Sequence, residues 1–333
     1  MRNTLGSWLL AGTLLTGTSS AMAGSGYEEH PLADEVVSTL EAEGFDAAEV
    51  RKVLAKAERK DSILEAISRP AERRLTWGEY RKIFVEPKRI RQGVAFWNEQ
   101  AETLARAEET YGVPAEIIVA IIGVETRYGR IMGRYRVLDA LTTLGFDYPK
   151  RADFFRGQLI EFMRMSREES LEPTGPIGSY AGAMGYGQFI PSSFRDFAVD
   201  FDGDGKRNIW SNKVDAIGSV ANYFHAHGWQ PGEPVRSNVV MNKAADESWF
   251  NAGLKPEVSL AEWAERGIAT RKDLSLDQPA TLMELTMAGG EHYWFGLQNF
   301  YVITRYNHSR LYAMAVYELS QAIKEAREAA TEN

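Results

Sequence analysis

The sequence contains no cysteine. That absence excludes disulfide frameworks, thiolate zinc sites, iron–sulfur clusters and cysteine nucleophiles together. There is no excess of positive charge either: 38 Lys and Arg stand against 46 Asp and Glu, a net charge of −8. A general nucleic-acid footprint needs the opposite sign, so no nucleic-acid partner is expected. Histidine is scarce, and His225-x-His227 has the wrong spacing for one helix face, so no zinc site is expected. Beyond the N-terminus no apolar run is long enough to cross a bilayer, and no segment repeats. What is present is ordinary globular composition, 44% apolar and 25% charged over 333 residues. A chain of that size builds a sizeable core in one large domain or two to three small ones. Aromatics are plentiful, with 8 Trp, 14 Tyr and 15 Phe, which suits a packed core, a sugar-binding cleft or both.

Residues 1–23 read as an address. Arg2 supplies a positive start, Leu5 to Leu15 form a short apolar stretch, and Ala21-Met22-Ala23 is a small-residue cleavage site before Gly24. No cysteine follows to carry a lipid, so the mature chain is expected to be a soluble exported protein without a membrane anchor. Removal of this segment takes away Arg2 alone and moves the net charge from −8 to −9.

Helical periodicity dominates the rest. Val50, Val53, Leu54 and Ala57 form a stripe after an Asp46 cap. Thr76 and Glu79 have capping-box spacing and open a helix carrying Trp77 and Tyr80. Ile90, Val94, Trp97, Ala101, Leu104 and Ala105 make one apolar face that closes at Gly112, and Pro114 suits the first turn of the next helix. That helix, Ala115 to about Tyr128, is apolar nearly all round and should be buried. Two more helices flank the turn Phe146–Pro149. Ser192 or Ser193 is a candidate cap for a helix reaching Phe201, and Asp215 to His227 reads as another helix. From Trp229 the pattern changes: Val239–Met241 and Leu282–Met287 are strand candidates, with Ser259 and Glu262 capping a short helix between them. A last helix carries Tyr312, Val316, Leu319 and Ile323 on one face.

Glu125 is the first acid after the run Ile117–Val124. A carboxyl group at the end of a buried helix is partly desolvated, which raises its pKa toward that of a general acid at neutral pH. The competing reading is a structural Glu neutralised by Arg127 or Arg130. Ser179–Phe189 is a run of small residues studded with aromatics and one amide, Gln188. It suits close approach of a polymer, or simply tight packing. It lacks the third glycine of a dinucleotide fingerprint. Asp200, Asp202, Asp204 and Gly205 match the first half of an EF-hand loop, with Lys206 offering its carbonyl at position seven. Position twelve is Ser211 rather than Glu, and Asp215 lies where it closes a longer loop. Three alternating acids repel one another without a cation, which favours a metal.

At these residues the sequence resembles the lytic murein transglycosylase B family of bacterial cell-wall enzymes. The resemblance is carried by IIGVETRYGR (121–130), LDALTTLGFDYPKRADFF (138–155), GSYAGAMGYGQFIPSSF (178–194), DFDGDG (200–205), DAIGSVANYFHAHGW (215–229) and NFYVITRYNHSRLYAMAV (299–316). It implies a mainly α (α+β) protein: a lysozyme-like helical core, a flanking helical domain and a small β-containing domain. The corresponding divisions are a signal peptide at 1–23, a helical domain at 24–112 completed by part of the C-terminal helix, and a catalytic core with the EF-hand-like loop at 113–228. A β-containing domain at 229–290 and a return to the core with the C-terminal helix at 291–333 follow. It implies non-hydrolytic cleavage of the β-1,4 bond between N-acetylmuramic acid and N-acetylglucosamine in peptidoglycan, leaving 1,6-anhydromuramoyl ends. Glu125 would be the sole catalytic acid and base. Ser179, Gln188, Tyr223, Tyr306, Asn307 and Tyr312 fall where the family lines its cleft, and Tyr80, Lys150 and Arg151 match further substrate-contacting positions. Asp200, Asp202, Asp204, Lys206 and Asp215 fall at the family's calcium loop. No organic cofactor is implied. Peptidoglycan strands are the implied partner, other cell-wall enzymes are further candidates, and the periplasm is the implied location. Lys150 replaces an Arg of the best-known member, keeping charge but losing the bidentate fork.

A water-using muramidase is the alternative, and it needs a second carboxylate such as Asp139 or Asp147. A catalytically silent wall-binding scaffold is the other. Lys150, Arg151 and Arg127 are candidates for a positive patch that attracts an acidic polymer.

Overall fold

The structure is a computed structural model that describes residues 26–69, 75–271 and 273–331; the address at residues 1–23 lies outside them. The described chain is mainly helical with a small antiparallel sheet, the class expected. It runs α1 (Ala33–Glu41), α2 (Ala47–Ala55), α3 (Asp61–Ser68), α4 (Trp77–Phe84), α5 (Pro87–Glu99), α6 (Ala101–Tyr111) and α7 (Ala115–Thr126). Then come β1 (Tyr135–Arg136), α8 (Val137–Asp147), α9 (Ala152–Glu168), β2 (Ile177–Gly178), α10 (Pro191–Phe197) and α11 (Lys213–Ala226). The β-rich stretch holds β3 (Arg236–Met241), β4 (Val258–Ser259), α12 (Leu260–Glu265), β5 (Ile268–Thr270), β6 (Pro279–Met287) and β7 (Gly290–Gly296). Helices α13 (Gln298–Tyr306) and α14 (Arg310–Thr331) end it.

Helix starts follow side-chain chemistry. Asp46 Oδ1 accepts the N–H groups of Ala48 and Glu49 at 2.8 and 3.0 Å. Thr76 with Glu79, and Ser259 with Glu262, close the capping boxes their spacing predicts. Three boundaries differ from expectation. Ser192 and Ser193 do not cap α10; Pro191 occupies its first position behind Ile190, and the helix stops at Phe197. Proline's fixed φ suits that first position. The apolar face from Ile90 to Ala105 belongs to two helices, because the chain leaves the α path at Gln100 (φ −111°, ψ 23°). The register shifts there, so Ala107 is buried and Ala105 exposed. Pro114 is the N-cap of α7 rather than part of its first turn.

The chain divides into two compact units. Of the described residues, one unit comprises those within 26–69, 131–198 and 203–211; the other comprises those within 75–130, 199–202 and 212–331. In the first, α8 packs on α9, and β1 pairs antiparallel with β2, Tyr135 opposite Gly178. Asp139, 1% exposed, anchors this unit: Arg136 donates to its two carboxylate oxygens at 2.8 Å each, and the N–H of Glu58 adds a bond at 2.9 Å. In the second unit α7 is the central helix, packed by α5, α6, α11 and α14, with Ile117–Ile122 fully buried. Its sheet has the order β4-β6-β7-β3-β5, all antiparallel. The expected strands at 239–241 and 282–287 lie in β3 and β6; β7, which pairs Thr281 with Gly296 across the hairpin, was not foreseen. Leu260 and Trp263 of α12 pack against Ile268, Leu282 and Phe295 of the sheet. Helix α4 rests on β6, which fixes the platform bearing Tyr80.

Asp139→Asn would leave Arg136 facing a neutral amide inside the fold. The expected outcome is a loss of about 3 kcal/mol or more in urea-unfolding stability.

Candidate active site

Glu125 sits in the last turn of α7, behind the buried run Ile117–Gly123. No cation neutralises it among the described residues. Arg127, one candidate for that task, instead donates to Glu86 Oε1 at 2.7 Å. Among the described residues the one hydrogen-bond partner of Glu125 is Tyr312, whose hydroxyl donates to Oε1 at 2.5 Å. Burial pushes the Glu125 carboxyl up to about 7, and the Tyr312 bond restrains that rise. The negative end of the α7 dipole acts in the same direction as burial.

Three tyrosines carry the field of this carboxyl: Tyr80 on α4, Tyr306 at the end of α13 and Tyr312 at the start of α14. Burial raises each phenol, and the Glu125 charge raises it further. Tyr80 is pushed up to about 12, and Tyr306 and Tyr312 rise well above the ordinary range. All three therefore stay neutral. Tyr223 on α11 has its ring 4.7 Å from that of Tyr306 and stacks on His227 at 4.0 Å; its hydroxyl donates to the Arg305 carbonyl at 2.7 Å. Asn307 follows α13 and is exposed. Tyr80, Glu125, Tyr223, Tyr306, Asn307 and Tyr312 thus share one unit.

One residue of this unit escaped the reading of the sequence. Arg127 and Tyr128 both adopt left-handed φ, 51° and 61°. The N–H groups of Arg127 and Tyr128 bond the carbonyls of Gly123 and Ile122, each at 3.2 Å, closing the helix tightly. The Tyr128 ring then folds back into the space a Cβ would need on Gly123 (Oη at 2.6 Å) and on Gly93 of α5 (2.6 Å), and its hydroxyl donates to the Arg89 carbonyl at 3.0 Å. This strut fixes the turn that carries Glu125. The available signal was Gly123, a glycine inside an otherwise apolar helix.

Ser179, Gln188, Lys150 and Arg151 belong to the other unit. Ser179 Oγ accepts the N–H groups of Ala181 and Ala183 at 3.3 and 3.1 Å. Gln188, at φ 52°, donates its amide to the Gly185 carbonyl at 3.0 Å. A Cβ on Gly185 would lie 2.3 Å from the Ile209 carbonyl oxygen. The Gly-rich run is therefore a self-bonded turn in close packing. Lys150 is exposed, and the Arg151 guanidinium lies 4.2 Å from the Phe154 ring. The second carboxylates considered for hydrolysis are both committed elsewhere: Asp139 to Arg136, and Asp147 to Tyr27, whose hydroxyl donates to it at 2.5 Å.

In the acidic loop, Asp200, Asp202 and Asp204 each bring one carboxylate oxygen within 4.8 Å of the others. Asp202 accepts from Asn212 Nδ2 at 2.7 Å, and Asp204 accepts the Lys206 N–H at 2.9 Å. Asp215 lies outside that cluster; it is fully buried and accepts the Phe201 N–H at 2.8 Å, propping the loop from its own helix. The donor set is all oxygen, the chemistry of a hard cation.

Residues 28–321 match the transglycosylase SLT domain. Over 314 residues the chain is 46% identical to the membrane-bound lytic murein transglycosylase B of Escherichia coli (strain K12), covering 91% of this chain and 86% of that protein. Among solved structures it is similar to the catenated lytic transglycosylase SltB1 of Pseudomonas aeruginosa, at 56% identity and a TM-score of 0.88 over 90% of this chain and 99% of that one. It is also similar to the Escherichia coli lytic transglycosylase Slt35 in complex with calcium, at 46% identity and a TM-score of 0.83 over 91% of this chain and 96% of that one. The chain belongs to the SLT-domain family of transglycosylases.

Proposed function

We infer that the protein is a lytic transglycosylase of peptidoglycan, cleaving the β-1,4 bond between N-acetylmuramic acid and N-acetylglucosamine and leaving 1,6-anhydro-N-acetylmuramoyl ends. The observation that carries this reading is the Glu125 carboxyl, pushed up to about 7 with no cation paired to it among the described residues. Protonated Glu125 gives its proton to the glycosidic oxygen as the C1–O bond breaks. The substrate's own N-acetyl group supports the developing positive charge, with Ser179 or Asn307 orienting it. The Glu125 carboxylate, held by the Tyr312 hydroxyl, then removes the proton of the C6 hydroxyl as that oxygen closes on C1. Water is not consumed and Glu125 ends protonated. Tyr80, Gln188, Tyr223, Tyr306, Lys150 and Arg151 are the proposed substrate contacts. Commitment of Asp139 and Asp147 to structural bonds weighs against the hydrolytic alternative.

The acidic loop is proposed to hold calcium through Asp200, Asp202, Asp204 and the Lys206 carbonyl, with Asp215 buttressing it; the ion would neutralise three clustered acids. A periplasmic setting is proposed on the N-terminal address and the substrate. No described helix is long and apolar enough to cross a membrane.

Digestion of purified sacculi followed by mass spectrometry of the fragments should give ends one water lighter than hydrolysed ends; reducing muramic ends would overturn the reading. Glu125→Gln should keep the fold and abolish turnover. The acid form exists below its pKa, so kcat/KM should fall about tenfold per pH unit above about 7. Tyr312→Phe removes the bond that restrains that pKa, so this limb should move to higher pH, read from the same profile. Stability has the linked sign: the folded carboxyl titrates above its ordinary value of 4.5, so it costs stability as pH rises through this window. Glu125→Gln should therefore melt higher than the parent at pH 8, and about level with it at pH 4.

Calcium at about one hundred times its Kd should stabilise the fold by roughly 3 kcal/mol, read as a rise in Tm that a chelator reverses. Asp202→Asn combined with Asp204→Asn should abolish the response.

A further inference from the structure

Glu125 and Arg127 are two residues apart in one unit, so their Cα atoms lie no more than about 7.6 Å from each other. An arginine that close to a desolvated carboxyl normally pairs with it. Among the described residues no ion pair joins the two. The Arg127 guanidinium goes to Glu86 instead, Nη2 to Oε1 at 2.7 Å. Three features fix it there. The Glu86 carboxylate is held independently of the arginine: as N-cap of α5 it accepts the Lys88 N–H on Oε2 at 3.0 Å and the Arg89 N–H on Oε1 at 3.1 Å. Arg127 has a left-handed φ of 51°, a conformation disfavoured for any residue but glycine, which takes it off the helical path that Glu125 follows. The arm also reaches Glu86 although its Nε is then buried with no hydrogen-bond partner among the described residues. A side chain placed only to satisfy its own donors would not leave that group bare.

The other groups around Glu125 offer Arg127 no alternative partner. Tyr80 of α4, Tyr306 of α13 and Tyr312 of α14 face the carboxyl as neutral phenols. Tyr223 of α11 gives its hydroxyl to the Arg305 carbonyl. Glu108 of α6 accepts the Ala115 N–H, and Glu116 pairs with Lys324 of α14, both at the opposite end of α7. Helix α5 brings Glu86 and a second cation, Arg89, which is buried with its guanidinium 5.0 Å from the Phe84 ring. Arg130, Lys88 and Arg91 are exposed. Glu86 is the one carboxylate paired with Arg127 among the described residues.

We propose that Glu86 is a positioning residue for the reaction: it detains the Arg127 guanidinium, which, once released, pairs with Glu125 and removes the acid form that opens the cycle. Arg127 is then an inhibitory cation that the fold carries beside its own general acid and keeps away from it. The proposal rests on the reading of Glu125 as the catalytic acid and base. An arginine beside a carboxyl lowers its pKa by about one to three units, enough to leave little acid at neutral pH.

The test is the pH profile of kcat/KM on sacculi for the parent, Glu86→Gln, Glu86→Asp, Arg127→Gln and the double variant Glu86→Gln with Arg127→Gln. Gln keeps an acceptor oxygen at the N-cap and removes the charge. In Glu86→Gln the alkaline limb should move down by about one pH unit, a loss of about tenfold in kcat/KM above neutral pH. Glu86→Asp keeps both cap and charge and should keep the parent's limb. The double variant has no arginine to release, so its limb should return to the parent's position. A limb that does not move in Glu86→Gln overturns the proposal. So does an equal displacement when Glu86→Gln is made in the Arg127→Gln background, since the charge of Glu86 alone would then be responsible. A second measurement does not depend on turnover: infrared titration of the protonated-carboxyl band that Glu125→Gln removes. That band should titrate at lower pH in Glu86→Gln than in the parent and return in the double variant. A band that titrates alike in the parent and Glu86→Gln overturns the proposal. If the band moves as expected in a protein that cuts no glycan, the assigned reaction fails and the detention of Arg127 by Glu86 stands.

Discussion

Everything in the site depends on keeping one carboxyl desolvated without giving it a cation. A buried carboxylate normally recruits an Arg or Lys, and its pKa then falls. Here a cation lies two residues away in sequence, at Arg127, and the fold keeps it occupied. Glu86, the N-cap of α5, accepts the N–H groups of Lys88 and Arg89 and also takes the Arg127 guanidinium. The left-handed turn at Arg127 and Tyr128 aims that guanidinium at Glu86, and the Tyr128 strut between Gly123 and Gly93 holds the turn. What faces Glu125 instead is a set of phenols that remain neutral at any working pH. The apolar run of α7, the helix end and the tyrosines act on one number, the proton affinity of Glu125.

Much of this was legible in the sequence because it rests on local rules. The apolar run before Glu125 announces a buried helix, and burial announces the raised pKa. Thr76 with Glu79 and Ser259 with Glu262 announce helix starts that the structure places as expected. The failures have non-local causes. Gln100 breaks a periodic apolar face that reads as continuous, although glutamine is itself a good helix former and gives no local signal of a break. Strand β7 contains Glu291 and His292 exposed at one end and Trp294 and Phe295 buried at the other, so no alternation marks it. The fate of Arg127 was not readable either, since the competing acid, Glu86, is a helix away in sequence.

The acidic loop shows the same division. Its alternating aspartates are a local pattern, and they do gather three carboxylates. Asp215, by its position and by the family resemblance, falls where a ligand would close a longer loop. In the structure one of its oxygens caps the Phe201 N–H from inside the protein. A buried carboxylate that bonds the backbone of the loop sets the loop's shape whether or not it touches an ion, and shape is what selects among hard cations. The Gly-rich run is a parallel case. Gly182 and Gly185 are required by left-handed φ and by close contacts, Gly185 with the Ile209 carbonyl and Gly182 with Leu141, so their packing role is established before any ligand is considered.

A single carboxyl that must first give and then take a proton faces a narrower requirement than either member of an acid–base pair. A group well above the ambient pH is a good base but a reluctant acid, and one well below it is the reverse. Paired carboxylates escape the conflict by dividing the tasks between two environments. A lone carboxyl escapes it only by lying near the ambient pH, which is where burial opposed by one neutral hydrogen bond places Glu125. An Arg in the place of the Tyr312 hydroxyl would stabilise the carboxylate too strongly to leave an acid. A Phe would leave burial unopposed and weaken the tendency of the group to release its proton. The phenol lies between these limits because it donates without bringing a charge, and that accounts for a tyrosine, rather than a cation or an apolar ring, at the one polar contact Glu125 makes among the described residues.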